Sequence, residues 1–358
     1  MNYKIRELRS DEAAKLKKLA CPNFSVVEQL FMSKPKIGLV AETEDGAIAG
    51  GVFLVVTGNG EEKAGCVDIM FVLPNHRGSG VAKLLYRAAV DDLHKRGCKT
   101  VMALVRGDNS QSLLRFEDAG LYPVSLRGLH QRIGTALTMR LFIKTASLAC
   151  ASGCYILCEG ATSESIGGNA NNLAQTFGLN GFMLLCGAMV GYFLHTTSNP
   201  WWNLLAALFF LLVITMGETL GKLAVGKTMI KKSWNFIMPQ GGLVPSFIVA
   251  LLGGFYPMLG HWYLTKRENT KEYYKCMAAP AAGAWILLMV ANIICQIYRN
   301  AHPFFAATTD LGIVLQIAYM LPFYPFNTFG GKRVWENNKA TYFVLEILSA
   351  ITIFLVLR

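Results

Sequence analysis

The chain has 358 residues, of which 53% are hydrophobic and 16% are charged, and its formal net charge is +11. This length is enough for two domains, and the charged fraction lies below the roughly 25% of a typical soluble protein. Charged side chains are frequent in residues 1–144 and scarce in residues 145–358, which contain long apolar runs. The sequence therefore predicts a soluble domain followed by a membrane domain. It has no basic stripe interleaved with aromatic residues, the pattern typical of nucleic-acid binding.

Residue patterns in the first 144 positions alternate between strand-like and helix-like segments. In chain order, they predict a strand at 3–8, a helix from Ser10, a hairpin at 37–57, a strand at 64–73, a helix at 81–96, a strand at 99–105, a helix at 109–119, and further strands near 121–132 and 136–143.

Nine cysteines occur without the spacing of a secreted disulfide framework. Cys150, Cys154 and Cys158 recur every four residues and are predicted to share one face of a helix. Three thiolates on one face are one way to hold a metal or cluster. Small side chains on an apolar helix more often pack closely against a neighbouring helix, and we favour that interpretation.

The most informative segment runs from Val72 to Ala82, Val-Leu-Pro-Asn-His-Arg-Gly-Ser-Gly-Val-Ala, between a predicted strand and a predicted helix. Unpaired N–H groups at a helix start attract phosphate, and Gly78 and Gly80 have no side chain to block its approach. Arg77 adds a forked cation beside them. The segment therefore predicts a site for a diphosphate.

This segment resembles the signature of the GNAT acyltransferases, Gln/Arg-x-x-Gly-x-Gly/Ala after a strand, which stands here as Arg77, Gly80 and Ala82. Asn109 matches the family's asparagine after the next strand, and Leu114–Leu121 resembles its Leu-Tyr-Glu-Lys-Leu-Gly-Phe segment. The resemblance covers about residues 3–144. It implies an α+β fold, a mixed central sheet with flanking helices, that binds acetyl-CoA or a related acyl-CoA.

The resemblance also implies which residues would contact the acyl-CoA. The backbone of the strand end would pair with the pantetheine arm, the glycine turn would hold the pyrophosphate, and residues after the next strand would flank the arm. The predicted cofactor-binding residues are Phe71, Val72, Leu73, Arg77, Gly78, Ser79, Gly80, Val81, Ala82, Asn109 and Phe116.

Transfer of an acyl group to an amine requires a group that accepts the amine proton. Asp68 lies four residues before Val72, and strand alternation predicts that it shares the face of Val72, so we consider it a candidate catalytic base. An ordinary charged residue at a strand edge is the alternative. The family's frequent general acid is a tyrosine, and Phe116 stands at that position. Phe116 cannot donate a proton to the leaving thiolate.

Residues 145–176 are predicted to be a linker or interfacial segment, and residues 177–358 an α-helical membrane domain. The run at 246–260 is short, contains glycine and proline, and has basic residues on its far side, so it is predicted to be re-entrant. Five spans are predicted near 178–194, 202–217, 277–298, 311–326 and 341–357. Acyl-CoA is cytosolic, and the basic loops then follow the positive-inside rule, so the N-terminal domain is expected on the cytoplasmic side.

Residues 178–358 resemble the site-2 proteases, which are intramembrane metalloproteases, in three short segments. Gly217-Glu-Thr-Leu-Gly221 is placed like their His-Glu-x-x-His helix. Residues 321–334 are placed like their Leu-Pro-x-Pro-Pro-x-Asp-Gly segment, and residues 278–285 resemble their Ala-Gly-Pro segment.

The departures from that pattern remove the metal chemistry. Gly217 and Gly221 replace both histidines, and Asn327 replaces the aspartate, so no metal and no proteolysis are expected. Glu218 remains. It either pairs with Lys222 one turn later or serves as a second candidate catalytic residue that steers a cationic amine in a membrane groove.

These observations predict a membrane-embedded N-acyltransferase that uses an acyl-CoA. Its acceptor would be an amine of a lipid, an amphipathic small molecule or a membrane peptide. The alternative is a catalytically weak acyl-CoA sensor or scaffold coupled to a membrane partner, which the phenylalanine at position 116 and the degenerate metal motif favour.

Overall fold

The computed structural model describes the chain except residues 1, 25, 61, 107–108, 146–153, 162–167, 195–199, 239–242, 267, 269 and 324–325. The chain divides into two compact units, Met1–Ile166 and Gly167–Arg358. Each unit has its own hydrophobic core.

The first unit is a mixed sheet with flanking helices, which confirms the predicted α+β fold. Its elements are β1 (Tyr3–Glu7), α1 (Ala13–Ala20), α2 (Val26–Phe31), β2 (Ile37–Thr43), β3 (Ile48–Asn59), β4 (Glu62–Val72), α3 (Val81–Lys95), β5 (Thr100–Arg106), α4 (Ser110–Asp118), β6 (Leu121–Val124), α5 (Leu126–Lys144) and β7 (Cys154–Glu159). Short 3-10 turns at Cys21–Asn23 and Pro74–His76 precede α2 and α3.

The seven strands lie in the order β1-β2-β3-β4-β5-β7-β6. Strands β1 to β4 form an antiparallel meander, and β5 runs parallel to β4. The pairing of β4 with β5 begins at Ala64 and ends at Val67 opposite Ala103. Beyond that point β5 continues alongside β7. The two parallel strands therefore separate before β4 ends, and their carboxyl ends lie at the same edge of the sheet.

Predictions that depend on local signals are confirmed in this unit. Helix α3 begins directly after Gly80, and α4 begins after Asn109, whose Oδ1 accepts a hydrogen bond from the Ser112 N–H at 3.1 Å. Asn109 thus caps the helix that was predicted at 109–119.

The predictions for the end of the unit were wrong in three places. Of the strand predicted near 121–132, only Leu121–Val124 is a strand, and the residues after it begin α5, which Ser125 caps through the N–H of Gly128. Residues 136–143 also belong to α5 and not to a strand, and they follow a kink at Gly134, where φ is 75°. Cys154 and Cys158 lie on β7, which is inserted between β5 and β6, so they do not share a helix face. Cys150 lies outside the described residues. Part of the segment that was predicted to be a linker, residues 145–176, therefore forms a strand of the sheet. So short a run does not predict a strand by itself, because strand formation depends on the neighbouring strands.

The described residues of the second unit include five helices that are long and apolar enough to cross a membrane. They are α6 (Asn169–Phe193), α7 (Pro200–Leu223), α10 (Lys271–Ile297), α11 (Pro303–Met320) and α13 (Lys339–Leu357). The shorter elements are α8 (Lys227–Ile230), β8 (Trp234–Ile237), α9 (Leu243–Leu251), β9 (His261–Leu264) and α12 (Gly331–Asn337).

The segment predicted to be re-entrant does not form a long helix. Helix α9 has nine residues, the chain turns at Gly253 with φ 79°, and residues 252–260 lead without regular structure into β9. Strand β9 then pairs with β8 as an antiparallel hairpin. Helix α9 packs on α6 through Ala250 and Met183. The re-entrant path itself stays a prediction.

Candidate functional site

The glycine turn between β4 and α3 leaves its backbone accessible. Gly78 and Gly80 have φ angles of 80° and 88°, values that residues other than glycine rarely adopt. A Cβ added at either glycine would have no atom of the described chain within 4 Å. The backbone conformation therefore requires glycine, and the space beside both residues is open to a ligand.

In the described part of the chain, no side chain caps the start of helix α3. Gly80 is its N-cap residue and offers no side-chain acceptor, so the N–H groups of Val81, Ala82 and Lys83 have no partner within the helix. The hydroxyl of Ser79 donates to the His76 carbonyl at 2.6 Å and so fixes the turn rather than capping the helix. Aligned free N–H groups and the helix dipole make this end of α3 suited to an anion such as a phosphate.

Arg77 lies at the start of the same turn, but its side chain reaches back to the end of β4. Its Nε donates to the Val72 carbonyl at 3.3 Å, and an Nη donates to Asn23 Oδ1 at 2.6 Å. Asn23 in turn donates to the carbonyls of Leu19 and Ala20, at the end of α1. The guanidinium is exposed. In this structure it therefore links β4 to the α1–α2 connection and does not lie over the N-terminus of α3.

Of the three residues at the end of β4 that were predicted to contact the acyl-CoA, Val72 is the one whose backbone groups face the gap beside β5. The N–H of Leu73 donates to the Ala49 carbonyl at 2.9 Å, so Leu73 faces β3. The Phe71 side chain packs in the core with Leu16. Because backbone groups alternate sides along a strand, the N–H and carbonyl of Val72 point away from β3. Its carbonyl accepts from Arg77 accordingly.

A β-bulge interrupts β4 at the candidate base. The register with β3 passes from Phe53 opposite Ile69 to Leu54 opposite Val67, which leaves Asp68 as the extra residue. Two glycines show that the bulge changes the face on which later residues of β4 lie. A Cβ on Gly65 of β4 would meet Leu93 of α3, and a Cβ on Gly50 of β3, which pairs with Val72, would meet Leu85 of α3. Positions 65 and 72 thus both face α3, whereas in a regular strand they would lie on opposite faces. The predicted shared face of Asp68 and Val72 therefore does not follow from alternation.

The residues after β5 lie at the same sheet edge as the glycine turn. Asn109 uses its Oδ1 as the cap of α4. Phe116 is buried, and its ring packs edge-on against Tyr86 of α3 with centroids 4.3 Å apart. It is thus a core residue rather than an open lining residue. Burial raises the pKa of the Tyr86 hydroxyl, which is hydrogen-bonded to Ser112. Nothing in the sequence singles out Tyr86, since an aromatic residue at a helical spacing is typical of any core.

Glu218, in the second unit, lies in a buried ion cluster. Its Oε1 is 2.8 Å from His261 Nδ1 and 3.1 Å from a guanidinium nitrogen of Arg333, and its Oε2 accepts from the Trp262 N–H at 3.3 Å. Arg333 also donates to the carbonyls of Trp262 and Met277. The cluster joins α7, β9, α10 and α12.

Both predictions for Glu218 differ from this arrangement. Lys222 does not pair with Glu218, because its Nζ lies 3.6 Å from the ring centroid of Trp262. The carboxylate is fully buried against a cation, so it does not face an open groove. Arg333 was missed because it is 115 residues away in sequence.

Gly217 and Gly221 allow close helix packing. A Cβ on Gly217 would lie 2.5 Å from the Ala284 Cα, and one on Gly221 would lie 2.2 Å from the Ala279 carbonyl oxygen. Both neighbours are backbone atoms of α10. Among the described residues, no group of three histidine, cysteine or acidic side chains is arranged to hold a metal. The Asn327 side chain lies outside the description.

Comparison with known proteins identifies the first unit. The acetyltransferase (GNAT) family model matches residues 4–120. Acetyltransferase SG1711 of Sodalis glossinidius is 31% identical over 91 residues, which are 25% of this chain and 61% of that protein. The chain thus matches less than two thirds of this relative.

Two solved structures resemble the chain at low identity. The NatC complex bound to Gag peptide and CoA is 18% identical, with 45% of this chain and 100% of that chain covered and a TM-score of 0.33. The IAA acetyltransferase from Bacillus cereus is 18% identical, with 35% and 79% covered and a TM-score of 0.29. On the family match and the observed mixed sheet with flanking helices, residues 4–120 have the GNAT fold.

Proposed function

We propose that the chain is a membrane-embedded acyltransferase that moves an acetyl or related acyl group from acyl-CoA to an amine. The observation that carries this proposal is the position of two features at one sheet edge. The glycine turn with the free N–H groups of α3 directly follows the part of β4 that has separated from β5. The first feature suits a diphosphate and the second suits an extended amide-bearing arm.

The donor would lie along these two features. The pyrophosphate would bind the N–H groups from Gly78 to Lys83, with Arg77 as its cation. The amides of the pantetheine arm would pair with the N–H and carbonyl of Val72, with Phe71 and Leu73 at its borders. Asn109 would flank the arm from the end of β5. A backbone N–H of β4 would also stabilise the negative charge that develops on the thioester oxygen.

The reaction requires one new bond and one broken bond. The neutral amine nitrogen attacks the thioester carbonyl carbon, the C–N bond forms, and the C–S bond breaks with CoA leaving as a thiolate. Asp68, in the bulge of β4, is the proposed acceptor of the amine proton, because bulges place residues irregularly at active sites. A thiol has a pKa of about 8.5, so its thiolate leaves without a proton donor. The buried Phe116 is compatible with that route.

The membrane unit would bind the amine acceptor. Its five long apolar helices are suited to crossing a bilayer, and the N-terminal unit would lie on the cytoplasmic side, where acyl-CoA is available. The acceptor would be a lipid, an amphipathic small molecule or a membrane peptide. In the proposed relation to site-2 proteases, Gly217 and Gly221 would stand where those enzymes have metal-binding histidines, so neither metal nor proteolysis is part of the proposal.

An acyl-CoA sensor or scaffold is the second candidate function. One observation favours it: Phe116 packs against Tyr86, and the Tyr86 hydroxyl is buried on Ser112, so neither supplies an accessible acid.

The release of free thiol from acetyl-CoA separates the two functions. The full chain in lipid nanodiscs would be assayed with a panel of lipid, amphipathic and peptide amines, and CoA binding would be measured on the same samples. Amine-dependent thiol release supports the transferase. CoA binding with no release for any amine supports the sensor, and the absence of CoA binding contradicts both.

A further inference from the structure

Helix α5 of the first unit is kinked in its middle, and the part after the kink packs on the sheet along one side. Gly134 has φ 75°, which is not helical, and residues 135–144 continue the helix beyond it. Leu141 and Phe142 of this part are buried in one hydrophobic core with Cys66 of β4. These apolar side chains hold the inner side of the helix against the sheet.

The side of this helix that faces away from the sheet is also apolar at its centre. Ala136, Met139 and Ile143 recur at the three- and four-residue spacing of a single helix face. Met139 and Ile143 are 54% and 67% exposed. Arg140 and Lys144 lie next to them on the same exposed half of the helix. A helix at a water-facing surface has polar residues at such positions, so this outer face is suited to a partner that is itself partly apolar.

Helix α5 is basic along its whole length. It contains Arg127, Arg132, Arg140 and Lys144 and neither aspartate nor glutamate. The chain as a whole carries a net charge of +11, of which this helix contributes only four, so the rest of the chain is basic as well. A second copy of the chain would therefore bring positive charge against α5, whereas an anionic surface complements it. Exposed apolar side chains flanked by cations are typical of helices that lie at the surface of an anionic bilayer.

The chain leaves the first unit next to α5. Arg132 donates to the carbonyls of Glu159 and Gly160, at the end of β7, at 3.2 Å and 3.0 Å. Asn169, which begins α6, follows nine positions after Gly160. Helix α6 is one of the five helices suited to crossing a bilayer. A connection this short keeps the effective concentration of α5 at the bilayer surface high, so that even a small contact area suffices for binding.

We propose that the outer face of α5 binds the anionic surface of the bilayer that the second unit enters. Met139 and Ile143 insert among the lipid headgroups, and Arg140 and Lys144 bind lipid phosphates. The Lys144 Nζ lies 3.5 Å from the Val56 carbonyl, an exposed contact that a phosphate replaces. Each basic residue close to an anionic surface strengthens binding about fivefold. The proposal rests on membrane insertion of the second unit and does not depend on acyl transfer.

Photocrosslinking of the full chain in nanodiscs that contain phosphatidylserine tests this contact. The photoreactive residue p-benzoylphenylalanine is placed at the position of Ile143 or, as the matched control, at that of the exposed Asp91 in α3. Helix α3 lies on the other face of the sheet, since Gly65 faces its Leu93 whereas the next residue, Cys66, belongs to the core under α5. Phospholipid attached after illumination is measured by mass spectrometry.

The lipid adduct is expected to form several-fold more at the position of Ile143 than at that of Asp91. Equal lipid adducts at the two positions, or adducts of the Ile143 position with protein alone, would overturn the proposal. The second outcome would assign the face to a protein surface instead.

A third position separates this contact from insertion of the second unit. Ile347 of α13 is 60% exposed, and a lipid adduct there reports insertion by itself. Adducts at Ile347 without adducts at Ile143 would overturn the surface contact and leave the insertion intact. The absence of lipid adducts at both would contradict the insertion and the proposal together.

Removal of charge tests the role of the cations. Arg140→Gln with Lys144→Gln should lower the lipid adduct at Ile143 several-fold, and replacement of phosphatidylserine by phosphatidylcholine should do the same. Lys95→Gln with Lys99→Gln removes equal charge from exposed positions at and after the end of α3, and it should leave the adduct unchanged. All four side chains are exposed, so both variants are expected to fold. Equal adducts in the two double variants would overturn the proposed binding of lipid phosphates.

Discussion

The Nε of Arg77 donates to the carbonyl of Val72 at 3.3 Å. The two residues belong to the two halves of the proposed donor site, because Arg77 would serve the pyrophosphate and Val72 the pantetheine arm. In this structure, the cation occupies the acceptor that an amide of the arm would use. Binding of the pyrophosphate would therefore draw Arg77 away and free the Val72 carbonyl, so the two halves of the donor are expected to bind cooperatively.

Arg77→Ala is expected to weaken CoA binding by about tenfold or more, since a charge-assisted hydrogen bond contributes about 1.5–3 kcal/mol. Binding of a pantetheine fragment without phosphates should be equal or stronger, because the Val72 carbonyl loses its competing donor. Isothermal titration with CoA and with the fragment measures both effects. Lys95→Ala, an exposed change at the far end of α3, is the control and should change neither affinity. A parallel loss for CoA and for the fragment would contradict the placement of Arg77.

Gly80→Ala is expected to reduce CoA affinity about tenfold, a change of about 1.4 kcal/mol, because the new methyl group projects into the space beside the α3 N-terminus. The substitution also strains the backbone, because φ is 88° at this position. This strain lowers the free energy of unfolding by roughly 1–2 kcal/mol. Gly46→Ala is matched in strain: its φ is 81°, and no atom of the described chain lies within 4 Å of an added Cβ. Both variants should lose similar thermal stability, but only Gly80→Ala should lose affinity. Equal CoA affinity in the two variants would place the pyrophosphate elsewhere.

Introducing two histidines one helical turn apart, Gly217→His with Gly221→His, is expected to destabilise the bundle and not to create a zinc site. An added Cβ at either position lies within 2.5 Å of α10 backbone atoms, so the helices must separate. Yield of folded protein and zinc content by elemental analysis are the measurements. Gly181→Ala is the control, because no described atom lies within 4 Å of a Cβ there. A folded double variant with one zinc per chain would refute this account of the helix contact.

Glu218→Gln is expected to destabilise the second unit by about 3–5 kcal/mol, because it leaves the buried Arg333 without a counterion. Thermal unfolding in detergent measures the loss. Replacing both partners, Glu218→Leu with Arg333→Leu, should recover part of the stability, since no uncompensated charge remains. The exposed Glu272→Gln serves as the control and should unfold like the native chain. Equal stability of all these proteins would show that the cluster contributes little to the fold.

The first unit is expected to become less stable at acidic pH, because two of its carboxylates pair with Arg6 and lose their charge in acid. Hydrogen bonds from Arg6 lower the pKa values of Glu12 and Glu42 below their ordinary range. Carboxylates with lowered pKa values stabilise the fold fully above the unfolded pKa of about 4.3 and lose this effect as the pH falls through the folded value. Hydrogen-exchange protection of β1 and β2 should therefore decline below about pH 4.

Arg6→Met should lower this protection already at neutral pH and flatten its dependence on pH below 4. Arg9→Met is the control, because Arg9 is exposed and lies 4.0 Å from Glu12. An unchanged acid profile in Arg6→Met would contradict the role of the cluster.

Features encoded within a few residues were predictable from the sequence. The helix start after Gly80 and the cap at Asn109 depend on backbone angles and side chains that neighbouring residues determine. The bulge at Asp68 was not predictable, because a register shift is a property of two strands and appears only when β3 is in place. Between Asp68 and Val72, the sequence contains no signal that interrupts a regular strand.

Long-range pairs in the second unit were beyond sequence reasoning for the same reason. Glu218 has Lys222 at the spacing of a helical ion pair, yet its partners come from β9 and α12. In the described structure, burial makes Glu218 bind the cation that packing brings nearest, whereas Lys222 lies over Trp262. The contact of Gly217 and Gly221 with α10 could not be predicted either, because it depends on how the two helices cross.

A cryo-electron microscopy structure of the full chain with bound CoA tests the central claim most directly. The account predicts the pyrophosphate at the N–H groups of Val81, Ala82 and Lys83, the pantetheine arm beside Val72, and Arg77 moved from the Val72 carbonyl to the phosphates. CoA bound away from the glycine turn, or bound there with Arg77 still on Val72, would contradict it.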